Sequence, residues 1–219
     1  MKQETDLKSD VIHGGGDPHK LNLIQLAEKY KTDKLGHGYM PFYMRYLPED
    51  PIKILEIGVD QGLSLLMWQE FFPGTEIHGI DIFHNKLLVK EDLEKKGIIC
   101  HLGNQSDISF LRNIHDQFDF IIDDGSHNMD DQQLSFRHLF VNNLRGKGYY
   151  IIEDLHTSKD HLWADRFKPA SRTLNALRYF QRKGEWSSEF FPKREQEYWQ
   201  NTIKEIHIHM EKIAFIKKR

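Results

Sequence analysis

Asp123-Asp124-Gly125-Ser126-His127 places two carboxylates and an imidazole within one short turn, and Glu153-Asp154 adds a second acidic pair further along. Oxygen ligands without a cysteine cluster suit a hard divalent ion, Mg²⁺, with Mn²⁺ or Ca²⁺ as alternatives. Asp124, Glu153 and Asp154 are the candidate ligands. His127 is the candidate general base, since an unperturbed imidazole titrates near ~6.5. A neighbouring cation also lowers the pKa of a bound hydroxyl. The competing reading makes these acids caps and salt-bridge partners at strand ends, and the histidine a structural residue.

The elements that must position these groups are hydrophobic strands. Phe118–Asp123 and Lys147–Glu153 are apolar runs of the kind buried on both faces of a sheet. Their acids fall at the carboxyl ends, the edge where open α/β sheets bind ligands. Upstream, Lys53–Ile57, Ile77–Asp81 and Ile98–Leu102 read as strands, separated by helical stretches over Leu63–Phe72 and Lys86–Lys96. Asp107–His115 and Asp130–Asn143 continue the helix alternation. Such a rhythm predicts an α/β fold with a doubly wound, mostly parallel sheet. Ile203–Met210 and Lys212–Lys217 alternate with almost no gap, which predicts a C-terminal antiparallel hairpin.

Other polar positions cluster at the same predicted edge. Gly58 and Gly62 bracket a tight turn that lets backbone approach a ligand, although the dinucleotide pattern G-x-G-x-x-G is not satisfied. Asp81 could accept from a ribose diol, common to NAD and S-adenosylmethionine, and Glu56 could hold a charged amine. Gln105 and Asp107 lie in a segment that could meet an adenine edge, though Asp107 equally suits a helix N-cap. Adjacent strand residues face opposite sides, so Asp123 is assigned to the nucleoside pocket and Asp124 to the metal.

The chain has 219 residues, a formal net charge of −3 and one cysteine. This gives no support for a nucleic-acid or anionic-membrane partner and excludes an internal disulfide. Cys100 reads as a small core residue. No apolar window is long enough for a membrane span and the start lacks a signal-peptide core, so a cytoplasmic location is expected. The chain is read as a single domain, 1–219: an N-terminal arm and flap (1–50), a cofactor-binding core (51–155), an aromatic insertion serving as packing or substrate lid (156–201) and the hairpin (202–219). A helix is expected near Ser171–Arg182.

Ile54-Leu-Glu-Ile-Gly-Val-Asp-Gln-Gly62 resembles the first motif of class I S-adenosylmethionine-dependent methyltransferases, and the hairpin is similar to that fold's antiparallel strand pair. Tyr30-Lys-Thr-Asp-Lys34, Ile121-Ile-Asp-Asp-Gly-Ser-His127 and Ile151-Ile-Glu-Asp-Leu155 resemble the metal-dependent sugar O-methyltransferases of macrolide antibiotic biosynthesis, of the mycinamicin and rhamnosyl type. The resemblance spans about residues 26–158. It implies a Rossmann-like, seven-stranded methyltransferase fold, S-adenosylmethionine and Mg²⁺ as cofactors, and a sugar hydroxyl of a natural product or polysaccharide as acceptor. It implies metal ligation by Asp124, Glu153 and Asp154, with His127 as base. It implies cofactor contacts near Glu56, Gly58, Asp81, Gln105, Asp107 and Asp123, with Thr32 and Lys34 on a segment closing over the cofactor. A homo-oligomer is a weaker implication. Asp60 and Lys31 depart from the family, standing where glycine is frequent. The alternatives are a catechol or phenol acceptor, or a non-methylating relative that is hydroxylase-like or binds NAD.

Overall fold

The computed structural model describes residues 22–84, 86–158 and 172–219. The expected N-terminal arm (up to 21) and the 159–171 part of the insertion therefore lie outside the described residues. Strands β1 (Lys53–Ile57), β2 (Glu76–Asp81), β3 (Ile99–Leu102), β4 (Phe118–Asp123), β5 (Leu144–Ile152), β6 (Ile203–His209) and β7 (Ile213–Lys218) form one sheet in the order β3-β2-β1-β4-β5-β7-β6. The first five are parallel, and β7 runs antiparallel to both β5 and β6. The winding reverses between β1 and β4, and their carboxyl ends part there into a crevice. The expected hairpin is present, turning through Met210 and Glu211, both at positive φ as a primed two-residue turn requires.

Side-chain parity along the strands sorts the core into two layers. Leu55, Ile57, Ile121, Tyr150 and Ile152 face a layer built from helix α7 (Met129–Asn142) and the C-terminal helices. Ile54, Phe120, Ile122 and Ile151 face the other layer, which contains Tyr39, Tyr43 and Trp68. That second layer rests on α1 (Leu23–Tyr30), α2 (Asp33–Gly36), α3 (Met40–Tyr46) and α4 (Leu63–Phe71). Helix α1 begins with a capping box: Gln25 N donates to Asn22 Oδ1 at 3.0 Å, and Asn22 N donates to Gln25 Oε1 at 2.9 Å. It ends at Lys31, whose φ is 54°.

Two expected boundaries shift. Strand β5 starts at Leu144 and stops at Ile152, so Glu153 lies beyond its end. The helix expected over Asp107–His115 is only α6 (Ile108–Leu111). Cys100 is half-buried on the edge strand, and burial pushes its thiol up to about 11, so it is no thiolate nucleophile at neutral pH. Of the aromatic insertion, Trp186, Phe191 and Trp199 are buried and stack around Phe136 of α7. The described part after residue 172 therefore packs as core, flanked by helices α8 (Thr173–Lys183) and α9 (Gln196–Thr202). Among the described residues no helix is long and apolar enough to cross a membrane.

Trp199 is fully buried in that aromatic cluster. Trp199→Ala is expected to destabilise the chain by about 3–5 kcal/mol through the cavity it leaves. Urea unfolding reads this, and a change under about 1 kcal/mol would contradict the packing assignment.

Candidate active site

The parity that builds the core also aims the acids. Glu56 shares its face with Ile54, Asp124 follows Ile122 in register, and Glu153 follows Ile151, so all three turn toward the layer holding α1–α4. Into this space comes Lys34 from α2, fully buried. Its Nζ lies 2.6 Å from Asp124 Oδ2, 3.0 Å from both Glu153 oxygens and 3.4 Å from Glu56 Oε1. Burial alone would lower the lysine's pKa, but the three carboxylates outweigh it and hold the group charged, well above its ordinary value. Burial and the neighbouring Asp124 raise Glu153, against the pull of Lys34. Tyr43 also donates to Glu153, and Ser64 and Trp68 donate to Glu56 at 2.6 and 2.7 Å.

Asp154 follows Glu153 at φ 53°. Tyr39 OH donates to Asp154 Oδ1 at 2.5 Å, and His127 Nε2 lies 3.5 Å from Oδ2. Asp124, His127 and Asp154 offer ligand atoms all within 4.8 Å of one another. Of the expected trio, Asp124 and Asp154 come together with His127, while Glu153 meets Lys34 and Tyr43. Glu56, Asp124 and Glu153 meet Lys34, and the carboxylates of Asp124 and Asp154 beside His127 make an oxygen-rich donor set that fits a divalent cation. His127 has φ 55°, and its Nδ1 is buried without a hydrogen-bond partner. A purely ligating histidine is ordinarily anchored through its second nitrogen, so the ring suits proton transfer.

Beside this cluster opens a cleft of about 650 Å³ lined by Thr32, Glu56, Gly58, Asp81, Gln105, Asp124 and His127. Gly58 has φ 89°, and a Cβ there would lie 2.0 Å from the Asp124 carbonyl, so only glycine lets β1 and β4 close on one another. Asp81 organises the turn: Oδ2 accepts from Val59 N at 2.8 Å and Asp60 N at 3.1 Å, and Oδ1 from Phe83 N at 2.8 Å. Thr32 Oγ1 is buried in the lining with no partner, a group that a polar ligand would satisfy.

Four residues expected near the cofactor lie away from the cleft. Asp123 does not face the cleft. It points into the α7 layer, where its carboxylate accepts from Ser135 Oγ at 2.6 Å, Gln105 Nε2 at 3.1 Å and Tyr150 OH at 3.2 Å. It acts through Gln105, whose Oε1 accepts from Ser126 N at 2.8 Å. Asp107 caps α6, accepting from Ser109 N at 2.8 Å and Phe110 N at 3.2 Å, and lies off the cleft. Gly62 (φ 74°) caps α4 under Leu93, again off the cleft. Lys34 contacts the acids and does not line the cleft. Tyr39 and Tyr43 escaped the sequence reading. Their spacing of one helical turn, which lets them reach two consecutive acids, was the available signal.

The strand order with its reversed last strand, and a glycine turn under an acid-ended β2, make this the Rossmann-like methyltransferase fold. The chain is a homologue of sugar O-methyltransferases of macrolide and tetracenomycin pathways. It is 38% identical over 164 residues to the 8-demethyl-8-(2-methoxy-alpha-L-rhamnosyl)-tetracenomycin-C 3'-O-methyltransferase of Streptomyces olivaceus. It is 34% identical over 165 residues to the mycinamicin VI 2''-O-methyltransferase of Micromonospora griseorubida. Each match covers 68% of this chain and 40% of the relative, so the chain spans well under two thirds of these proteins. The solved MycE methyltransferase of the mycinamycin pathway, in complex with Mg and SAH, is similar at a TM-score of 0.75 and 30% identity, covering 91% of this chain and 55% of that one. No protein-family model matches the sequence.

Two measurements test this electrostatic arrangement. Lys34→Met leaves buried carboxylates uncompensated and is expected to cost about 3–5 kcal/mol. Adding Glu153→Gln should recover part of that loss, whereas strictly additive effects in urea unfolding would contradict the pairing. Burial raises the Asp123 carboxyl to about 6 despite its hydrogen bonds. A raised acid favours the fold below its unfolded pKa, and that contribution disappears as pH rises through about 6. Asp123→Asn should therefore gain roughly 2–3 kcal/mol relative to the parent between about pH 4 and pH 7. Parallel stability–pH curves for the two proteins would refute it.

Proposed function

We propose that the chain carries the catalytic region of an S-adenosylmethionine- and Mg²⁺-dependent O-methyltransferase, acting on a sugar hydroxyl in a small-molecule natural product. The observation that carries this reading is the clustering of Asp124, His127 and Asp154 at the wall of the glycine-turned cleft. Its support from relatives is the sugar acceptor that their names specify, and the Mg and SAH of the similar solved structure.

Asp124 and Asp154 would hold the cation, with His127 at its margin. When bound, the cation supplies Lewis-acid polarisation of the acceptor hydroxyl, and the sulfonium cofactor supplies the methyl group. Glu56 would meet the cofactor's ammonium and Asp81 its ribose diol, and Thr32 and Gln105 would contribute further polar contacts. The bound sulfonium would pass its methyl group to the acceptor oxygen, the carbon–sulfur electron pair remaining on sulfur. The proton passes to His127 Nε2, the ring nitrogen that faces Asp154, and the nearby carboxylates stabilise the resulting imidazolium. Lys34 and Tyr39 keep Asp124 and Asp154 in place, so the reacting groups meet in a fixed geometry.

Mass spectrometry of a rhamnosylated acceptor incubated with S-adenosylmethionine and Mg²⁺ is expected to show addition of one methyl group, lost on chelation. His127→Asn, which keeps a residue tolerant of positive φ, should lower kcat roughly 10²–10⁴-fold and leave SAH affinity unchanged in calorimetry. Transfer that persists after exhaustive chelation would eliminate the metal role.

A further inference from the structure

Asp154 is surrounded by more imidazoles than the proposed chemistry uses. His127 lies on its Oδ2 side, while His37 Nδ1 at 3.6 Å and His156 Nδ1 at 3.7 Å lie on its Oδ1 side. Both latter distances exceed hydrogen-bonding reach. His37 comes from the C-terminal cap of α2, and His156 from the short 3₁₀ turn Leu155–Ser158 after β5. Their side chains are 40% and 46% exposed, although the carboxylate between them is only 9% exposed. Asp124 and His127 line the cofactor cleft, whereas Asp154, His37 and His156 do not. His37 and His156 are thus solvent-exposed groups beside Asp154, outside the cofactor cleft.

We infer that His37 and His156 form an acceptor subsite, binding adjacent hydroxyls of a neutral sugar ring beside Oδ1 of Asp154. This rests on the methyltransferase reading above. A neutral imidazole offers one donor and one acceptor nitrogen, matching a hydroxyl that also does both. Two such rings flanking one carboxylate suit two neighbouring hydroxyls. An anionic acceptor is disfavoured by the carboxylate of Asp154 that the two imidazoles adjoin, with Asp124 nearby. An apolar acceptor would leave the imidazole and carboxylate polar atoms unpaired.

The test is saturation-transfer NMR of methyl α-L-rhamnopyranoside, a ring with adjacent hydroxyls, against the chain loaded with SAH and Mg²⁺, with catechol as a second ligand. The native chain is expected to bind the rhamnoside. His37→Ala and His156→Ala should each weaken that binding at least ~5-fold, the loss of roughly one hydrogen bond. Their glutamine counterparts, which retain a donor and an acceptor, should recover part of it. SAH affinity and the melting temperature should stay at native values in all four variants. Rhamnoside binding that is absent from the native chain, or equal in native and alanine variants, overturns the inference. So does a loss confined to catechol. Failure of the native chain to bind SAH in the same calorimetric series would instead remove the methyltransferase reading itself.

Discussion

A single buried ammonium holds the site together. Lys34 Nζ contacts Glu56 from β1, Asp124 from the end of β4 and Glu153 from the end of β5, and so ties three adjacent strands to a helix in front of them. Bringing these charges out of water is costly, and the mutual attraction has to repay it. The remaining hydrogen-bonding capacity is used: Tyr43, Ser64 and Trp68 donate to the same carboxylates. The arrangement consequently costs stability if any one partner is lost. In return, it fixes where Asp124 points, and with it the cluster that Asp124 shares with His127 and Asp154.

The crevice exists because the sheet reverses its winding between β1 and β4, and Gly58 allows the two strands to approach. Its two walls do different work. The β1–β2 side is organised by a carboxylate, Asp81, that gathers three backbone N–H groups. The β4–β5 side is organised by two tyrosines and a lysine that gather carboxylates. One wall thus presents a shaped backbone and the other concentrated negative charge, which is the division expected of a site for a nucleoside-like ligand beside a cation.

Much of this was legible in the residues. Strand ends marked by acids located the edge of the sheet, and period-two alternation separated Asp123 from Asp124. Alternation fixes that two neighbours diverge, but it does not say which layer of helices each will meet. Asp123 was therefore assigned to the cleft when its carboxylate meets Ser135 of α7 and Tyr150 of β5. Similarly, the strand's end at Ile152 was compatible with both Glu153 and Asp154 facing one ion. In the structure Glu153 meets Lys34 and Tyr43, while Asp154, at φ 53°, meets Tyr39 and lies near His127. Lys34 was unreadable as a core residue, because nothing in Thr32-Asp33-Lys34 distinguishes a lysine bound for the interior from one on a flap. Asp107 followed the local rule for a helix cap, which prevailed over the ligand assignment.

Lys31, Asp60, His127 and Asp154 all carry side chains at positive φ, and Lys31 and Asp60 stand where glycine is the easier residue. A free chain rarely visits these conformations, and still more rarely visits them together. The groups they present are consequently arrayed only while the surrounding fold enforces them, so a ligand that needs the array has almost no affinity for the unfolded chain. Such a ligand contributes its binding free energy to folding in full, about 1.4 kcal/mol for every tenfold of concentration above its dissociation constant. Heat resistance in this protein is thereby coupled to occupancy of the site.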